Sequence, residues 1–394
     1  TGRDLYWVGR GGNGDWFDPV NWSLSSGGPG GECIPTAKDN VFFDANSFDG
    51  PSQRVNNPSR FAYCKNMSWT GVTNNPIFGM WVLNAFGSVD LPNKTPGSYL
   101  SEISFRSPEK DRTILTRGFD AFNVFFRSEG SWILQDTLSA YYISMQSGEF
   151  NSNDKPVTTN YFYMSHYGFN FQTLKMGKSH WRINGNGDLA AFNFNFYVGP
   201  YASVDAGTSL LEFTNTLPVY VTYADVKFHN VLFSNAAGTS TLRSLYEAFN
   251  TNIPPKVSTF NKIEIRNNGI ILGKNVIDSL IFTAGKTYTL DVAQSQTVNE
   301  YFQVIGNNCS PIELRSTVAG NKAVVNMNGG VVLGDFIQMR DQRGVGSTKF
   351  FAGANSTNIN NSNENWIFDS PVDYVDEGIL GKDVVLCKNN SLTL

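Results

Sequence analysis

The chain has 394 residues, only 16% of them charged, and a formal net charge of −4. Its 30 Lys and Arg residues are scattered singly, which argues against nucleic acid as a partner because a phosphate backbone requires a basic stripe. No run of 18 apolar residues is present, so the chain is not expected to span a membrane. Residues 1–8 lack the pattern of a signal peptide, and we therefore expect a mature or trimmed N-terminus.

Residues 1–50 form a glycine-rich N-terminal block that contains three tryptophans, Trp7, Trp16 and Trp22. We predict that this block is an aromatic cap, because the open end of a stacked β-structure exposes unpaired backbone groups and invites association. The alternative is that the three indoles form a ligand-binding platform on which sugar rings stack. Near-complete burial of the three side chains would exclude that alternative.

Oxygen-bearing side chains cluster toward the end of the same block. Asp39, Asp44, Asn46 and Asp49 have short spacings, but they lack the twelve-residue loop and the bidentate Glu of a calcium-binding hand. We therefore expect no cofactor, with calcium as the one ion that these residues leave open.

The four cysteines, Cys33, Cys64, Cys309 and Cys387, show no Cys-x-x-Cys spacing. This argues against a zinc site or a thioredoxin-like redox pair. We predict a Cys33–Cys64 disulfide, since both residues lie in the loop-rich N-terminal part and closing a loop of that length contributes roughly 3 kcal/mol. The alternative is a pair of free, buried thiols.

Residues 51–370 read as an all-β domain. Short runs rich in Phe, Tyr, Val, Ile and Thr are separated by Gly, Asn, Asp and Ser; examples are residues 122–127 (FNVFFR), 131–134 (SWIL) and 141–145 (YYISM). Two-residue hairpin signals are scarce, with Asn268-Gly269 and Asn328-Gly329 as the main candidates. We therefore favour a parallel β-helix, or solenoid, over β-sandwiches. One brief helix is expected at most, over Leu242–Phe249.

No motif that carries catalysis is present. The three histidines, His166, His180 and His229, are far apart and form no metal-binding pair, and the chain has no Gly-x-Ser-x-Gly sequence. We predict no catalytic residues, no metal ligands and no enzyme activity.

Several blocks match a known family in order along the chain. They include Tyr6–Gly9 (YWVG), Asn21–Ser23 (NWS), Asp39–Phe48 (DNVFFDANSF) and Asn363–Phe368 (NENWIF). On these residues the chain resembles secreted surface proteins of the Bacteroidota, the adhesin and gliding-motility-associated family. It departs from the family pattern at Arg10, where glycine is usual.

The resemblance implies a modular extracellular protein that the type IX secretion system exports across the outer membrane to the cell surface. In this interpretation the chain is the N-terminal region, and residues 371–394 are a linker followed by the first strands of a truncated Ig-like β-sandwich module. The resemblance supplies no catalytic residues.

Three functions follow as hypotheses. The first is a non-catalytic surface module of a large adhesin-like protein, which mediates attachment or gliding-related contacts with a surface glycan or protein. The second is a β-helix protein that binds or degrades polysaccharides. The third is a docking module for an outer-membrane partner of the secretion or motility machinery.

Overall fold

The computed structural model describes residues 2–10, 12–164, 171–185, 194–196, 202–215, 219–223, 226–244 and 257–369. These residues form β-strands and two short 3-10 helices, Pro19–Asn21 and Ile359–Asn361, with no α-helix among them. The predicted all-β class is therefore confirmed. The Ig-like prediction for 371–394 lies outside the described residues. The chain divides into two compact units, one of Thr1–Gly185 with Phe194–Leu210 and one of Asn186–Asn193 with Leu211–Leu394.

The first sixteen strands are β1 (Asp4–Trp7), β2 (Trp22–Ser23), β3 (Asn40–Phe43), β4 (Arg54–Cys64), β5 (Met67–Trp69), β6 (Ile77–Ala85), β7 (Val89–Asp90), β8 (Tyr99–Phe105), β9 (Arg112–Leu115), β10 (Asp120–Leu134), β11 (Leu138–Asn151), β12 (Val157–Met164), β13 (Gln172–Lys175), β14 (His180–Ile183), β15 (Phe194–Phe196) and β16 (Ala202–Asp205).

The remaining strands are β17 (Leu210–Phe213), β18 (Val219–Tyr223), β19 (Lys227–Phe233), β20 (Thr239–Ser244), β21 (Ser258–Ile265), β22 (Asn268–Ile271), β23 (Asn275–Phe282), β24 (Thr287–Leu290), β25 (Gln296–Ile305), β26 (Ile312–Ser316), β27 (Ala323–Asn326), β28 (Val331–Asp335), β29 (Ile337–Met339), β30 (Gln342–Val345), β31 (Phe350–Phe351), β32 (Thr357–Asn358) and β33 (Trp366–Ile367).

A continuous parallel ladder runs through the first unit. It joins β4, β6, β8, β10, β11, β12 and β15 in that order. Val124, for example, is paired with Ile103 on one side and Ile143 on the other. We call this the central ladder. Strands that pair in parallel with a segment about one circuit later are consistent with the predicted β-solenoid.

Side chains along the central ladder alternate between the interior and the outside, as the two-residue period of a strand requires, except that two consecutive side chains face outward at Phe122–Asn123 of β10 and at Tyr141–Tyr142 of β11. The inward set is almost completely buried: Ala62, Cys64, Leu83, Ala85, Ile103, Phe105, Val124, Phe126, Ile143, Met145, Phe162 and Met164. Inside, Phe126 stacks on Phe105 at 5.2 Å and on Phe150 at 4.7 Å between ring centroids. Burying one of the Val, Leu, Ile, Phe or Met side chains of this set contributes about 1.5–3 kcal/mol to stability.

Polar side chains form a second kind of ladder at the bends. The Asn66 amide donates to Oδ1 of Asn40 at 2.8 Å, and the Asn40 amide donates to Oδ1 of Asp4 at 2.7 Å. On the next strand the Ser88 backbone N–H donates to Oδ1 of Asn66 at 2.7 Å. A primary amide both donates and accepts hydrogen bonds, so side chains at equivalent positions of successive strands can hydrogen-bond one another.

The second unit follows the same pairing rule. Ile263 of β21 is paired with Leu280 of β23, and Leu280 with Phe302 of β25, all in parallel. In its interior the Tyr288 ring stacks on Phe282 at 3.8 Å. Tyr288 also hydrogen-bonds the Ile265 carbonyl at 2.7 Å.

Two local predictions in the second unit are wrong. Asn268-Gly269 is not a hairpin turn; it begins strand β22, and glycine is needed there because a Cβ at Gly269 would lie 2.9 Å from the Tyr288 ring. Residues 242–244 are not helical, since they end strand β20, where Leu242 pairs with Ile271. The rest of that predicted helix lies outside the described residues.

Candidate functional site

The three N-terminal tryptophans are buried. Trp7, Trp16 and Trp22 each have 0% exposure, and Trp22 makes edge contacts with Trp7 and Trp16 at 5.1 and 4.8 Å between ring centroids. The Trp22 indole N–H donates to the Trp16 carbonyl at 2.8 Å. All three rings also pack around Phe43. The alternative interpretation, a ligand-binding platform, is therefore wrong, because no indole face is available to a sugar.

The N-terminal block completes the first strands instead. β1 pairs in parallel with β3 along one edge, and its other edge is paired antiparallel with β2. The outer edge of β1 is thus occupied by a short strand of two residues, which is one way that natural sheets avoid edge-to-edge association.

The residues considered for calcium have partners of their own. Asp39 is 3% exposed; its carboxylate accepts hydrogen bonds from the Arg3 and Thr36 side chains at 2.7–3.1 Å. Burial acts to raise the pKa of Asp39, but these bonds outweigh it and hold the pKa well below its usual range. Asp44 accepts a hydrogen bond from the backbone of Asn46 within a turn. Across the described ranges, no group of three or more His, Cys, Asp or Glu is placed to bind a metal ion.

The predicted Cys33–Cys64 disulfide is also wrong, because both cysteines are free thiols. Cys64 ends β4 as an inward residue with 0% exposure, whereas Cys33 is exposed in the loop before β3. Burial raises the pKa of the Cys64 thiol to about 12. Cys309 is disulfide-bonded, and Cys387 lies outside the described residues.

Two of the three histidines lie in described strands. His180 lies in β14 and His229 in β19, and these strands belong to different units. His166 lies outside the described residues.

Aromatic side chains concentrate on the outside of the central ladder. We call this set the aromatic flank: Phe61, Tyr63, Trp81, Tyr99 and Phe122 are exposed, and Phe125, Tyr141, Tyr142 and Tyr163 are partly exposed. Trp81 is 50% exposed and Phe122 is 53% exposed. An exposed cluster of this kind on a soluble domain marks an interaction site more often than a scattered single residue does.

The rings of the flank contact one another across strands. Phe122 of β10 stacks on Tyr141 of β11 at 4.6 Å with an angle of 2° between the planes. Phe125 meets the edge of Tyr142 at 5.8 Å. Burial raises the pKa of Tyr142, which also hydrogen-bonds Ser144 and lies near Tyr163. These mutual contacts hold the rings in place and leave them partly exposed.

β8, between β6 and β10, carries both a ring and polar side chains. Tyr99 is 43% exposed, whereas Glu102 is paired with Val82 on β6 and with Asn123 on β10. The Arg127 Nη1 donates to Glu102 Oε1 and to Ser104 Oγ, both at 2.7 Å, and its guanidinium lies 4.0 Å from the centroid of Phe125. An ion pair therefore lies beside the Phe125 ring.

The sequence analysis identified strands of the flank but not the flank itself. Residues 122–127 and 141–145 were predicted as strands, and both lie in the central ladder. Their alignment follows from the register, since Asn123 pairs with Tyr142 and so places Phe122 beside Tyr141. Register between strands about twenty residues apart cannot be derived from either strand alone.

No protein-family model, curated protein or solved structure matches the chain. In the part of the chain that the structure describes, no helix is long and apolar enough to cross a lipid bilayer.

Proposed function

We propose that this chain is a non-catalytic, extracellular contact module with a parallel β-helix fold, displayed at the cell surface as part of an adhesin-like protein. The observation that carries the proposal is the aromatic flank: β4, β6, β8 and β10 of one ladder carry exposed rings, and β11 and β12 carry partly exposed rings. Large exposed rings that are fixed by mutual packing provide contact area with little loss of conformational entropy on binding.

Two acidic groups have pKa values shifted away from the direction that an acid catalyst needs. Glycoside hydrolysis requires a carboxylic acid whose pKa is raised. The pKa of Asp39 is shifted in the opposite direction, because Arg3 and Thr36 stabilise its carboxylate. The pKa of Glu364 is also lowered, by its hydrogen bond with Lys322 and by the nearby Arg343. The disulfide at Cys309 supports an oxidising compartment outside the cytosol. Export by the type IX secretion system, and a role in attachment or gliding, rest on the family resemblance.

The test is an attachment assay with cells that produce the full-length protein. Trp81→Ala and Phe122→Ala remove exposed rings that do not contribute to the buried core, so surface display measured by immunoblotting should be unchanged. Attachment should fall severalfold. The matched control is Tyr301→Ala, which removes an outward ring from β25 of the second unit and should leave attachment unchanged. Normal attachment of both flank variants at normal surface display would refute the proposal.

A further inference from the structure

Apolar side chains form a second outward set, on the last strands of the second unit. We call this set the C-terminal patch; its members are Ile305, Val331, Leu333, Phe351 and Ile367. Ile305, Val331 and Ile367 are 38–39% exposed, and the other two are partly exposed. Single apolar residues are common on protein surfaces, but a contiguous set marks a place where another segment or molecule binds.

The strand register makes the patch contiguous. β25 and β28 pair in parallel, and Ile305 lies diagonally across from Leu333. β31 and β33 also pair in parallel, with Phe351 beside Ile367. β31 adjoins β28, because a Cβ at Gly334 would clash with the Phe351 carbonyl oxygen. The patch faces outward, since the alternate residues of these strands are buried: Val304, Val332, Phe350 and Trp366.

The cysteines identify a segment that can cover the patch. The chain has four cysteines. Cys33 and Cys64 are free thiols, whereas Cys309 is disulfide-bonded. Cys387 is then the one cysteine of the same chain that remains as a partner for Cys309.

The position of Cys309 places its disulfide at one border of the patch. Cys309 is exposed in the turn Asn307–Ser310, which two backbone hydrogen bonds of 3.0 and 3.2 Å close. This turn begins two residues after Ile305. At the opposite border, the described part of the chain ends at Asp369, two residues after Ile367. The segment between Asp369 and Cys387 therefore starts at one border of the patch and is within reach of the other.

The length and composition of this segment suit the patch. Eighteen positions separate Asp369 from Cys387, and an extended chain of that length spans roughly 60 Å. The patch crosses four strands, a distance of roughly 14–15 Å at the usual strand spacing. Residues 384–386 (VVL), directly before Cys387, are apolar. A covalent tether makes their contact with the patch intramolecular, so that a small apolar area is sufficient for binding.

We propose that the C-terminal patch is the docking surface for residues 371–394 of the same chain, which a Cys309–Cys387 disulfide anchors there. The bond joins the two Sγ atoms and removes two electrons and two protons from the two thiols. Exchange with a protein disulfide oxidant, which is reduced to its dithiol, accounts for both. A second copy of the chain fits the patch less well, because a Cys309 bond between chains forms at a lower effective concentration than one within a chain.

Peptide mapping of the intact chain tests the anchor. Free thiols are blocked with iodoacetamide in denaturant, and the chain is digested with trypsin without reduction. Cleavage after Lys286, Arg315, Lys382 and Lys388 should release residues 287–315 joined by a disulfide to residues 383–388. Cys33 and Cys64 should carry the blocking group. Electrophoresis without reductant should show a monomer.

Brief tryptic digestion under native conditions tests the docking. Lys382 and Lys388 flank the apolar run, so cleavage there, measured after reduction, reports whether the run is bound. We expect Val331→Asp to raise the rate of cleavage after Lys382 severalfold while the disulfide still forms, because a charge disfavours an apolar contact. Ile367→Asp is a second variant, and circular dichroism verifies that each one is folded. The matched control is Val318→Asp, at a residue that is 46% exposed after β26 and outside the patch; it should leave the rate unchanged.

Any of three results overturns the proposal. Recovery of Cys309 and Cys387 as blocked thiols would remove the anchor, and a covalent dimer through Cys309 would assign the bond to a second chain. Cleavage after Lys382 at the same rate in the unmodified chain and in both folded patch variants would show that the segment does not cover the patch. These measurements do not involve the aromatic flank, so failure here leaves the proposed function standing.

Discussion

Hydrogen bonding distinguishes two tryptophans that are otherwise closely similar. Trp16 and Trp22 are both fully buried, contact each other at 4.8 Å and both pack on Phe43. The Trp22 N–H donates to a carbonyl at 2.8 Å, whereas the Trp16 Nε1 is buried without a hydrogen-bond partner among the described residues. Replacement of each by phenylalanine removes about the same apolar volume and one N–H group.

We expect Trp22→Phe to be more destabilising than Trp16→Phe by about 2 kcal/mol. The first variant loses a hydrogen bond with a net contribution of about 1 kcal/mol and leaves a buried carbonyl without this donor. The second variant removes an N–H group that is buried without a hydrogen bond and is therefore itself destabilising. Its removal offsets part of the destabilisation caused by the cavity. Because the two substitutions create similar cavities, the difference isolates the hydrogen bond.

The measurement is urea denaturation of the two variants and the unmodified chain, followed by circular dichroism at a strand wavelength and analysed at a common m-value. Hydrogen exchange of β1 and β3 provides a local readout, because in stacked repeats a terminal lesion first opens its own neighbours. Equal destabilisation of the two variants, within about 0.5 kcal/mol, would show that indole hydrogen bonding does not determine the stability of this cluster.

Three further predictions concern single side chains. Asp39→Asn should lower the free energy of unfolding by about 2–3 kcal/mol. In the unmodified chain the stabilisation from this carboxylate should be fully present above its ordinary pKa near 3.9, and it should be lost as the pH falls toward the lowered folded-state pKa. Denaturation at pH 7 and pH 3 checks this, and an identical pH dependence of stability in the variant would contradict it. Tyr288→Phe should lower the free energy of unfolding by about 1–3 kcal/mol, because the buried backbone groups that bond its hydroxyl lose their partner. Thermal melts measure the effect, and Tyr301→Phe, which removes a partly exposed hydroxyl, is the control. A thiol reagent should label Cys33 in the native chain but reach Cys64 only after unfolding, since burial raises the pKa of Cys64 to about 12; equal labelling rates would refute the buried position.

The sequence predicts the all-β class because aromatic and β-branched runs are short and bounded by turn residues. It does not predict which side of a strand is buried when both sides are apolar. In the FAYC segment of β4, Ala62 and Cys64 face the interior while Phe61 and Tyr63 are exposed. Side-chain size would suggest the opposite. The error over the disulfide and the failure to foresee the flank both arise from this ambiguity.

Tertiary pairing also overrides local preference in the second unit. The apolar spacing of residues 242–249 is helical, yet Leu242 is held between Val221 and Ile271 in parallel strands. Asn-Gly is a strong turn signal, but Gly269 serves instead to admit the Tyr288 ring. Neither partner is near in sequence, so a short window cannot reveal the competition.

The separation between ladder partners bears on how the first unit folds. Val124 pairs with Ile143 and Ile143 with Phe162, each only nineteen positions further along the chain. Each of these two circuits therefore closes a loop of modest length, and the step from Phe162 to Phe194 is longer; the entropic cost grows only logarithmically with loop length. A β-structure assembled in this way avoids the distant chain closures that slow the folding of sandwiches and barrels. The strands can add in chain order, each one using the edge that the previous strand has just completed.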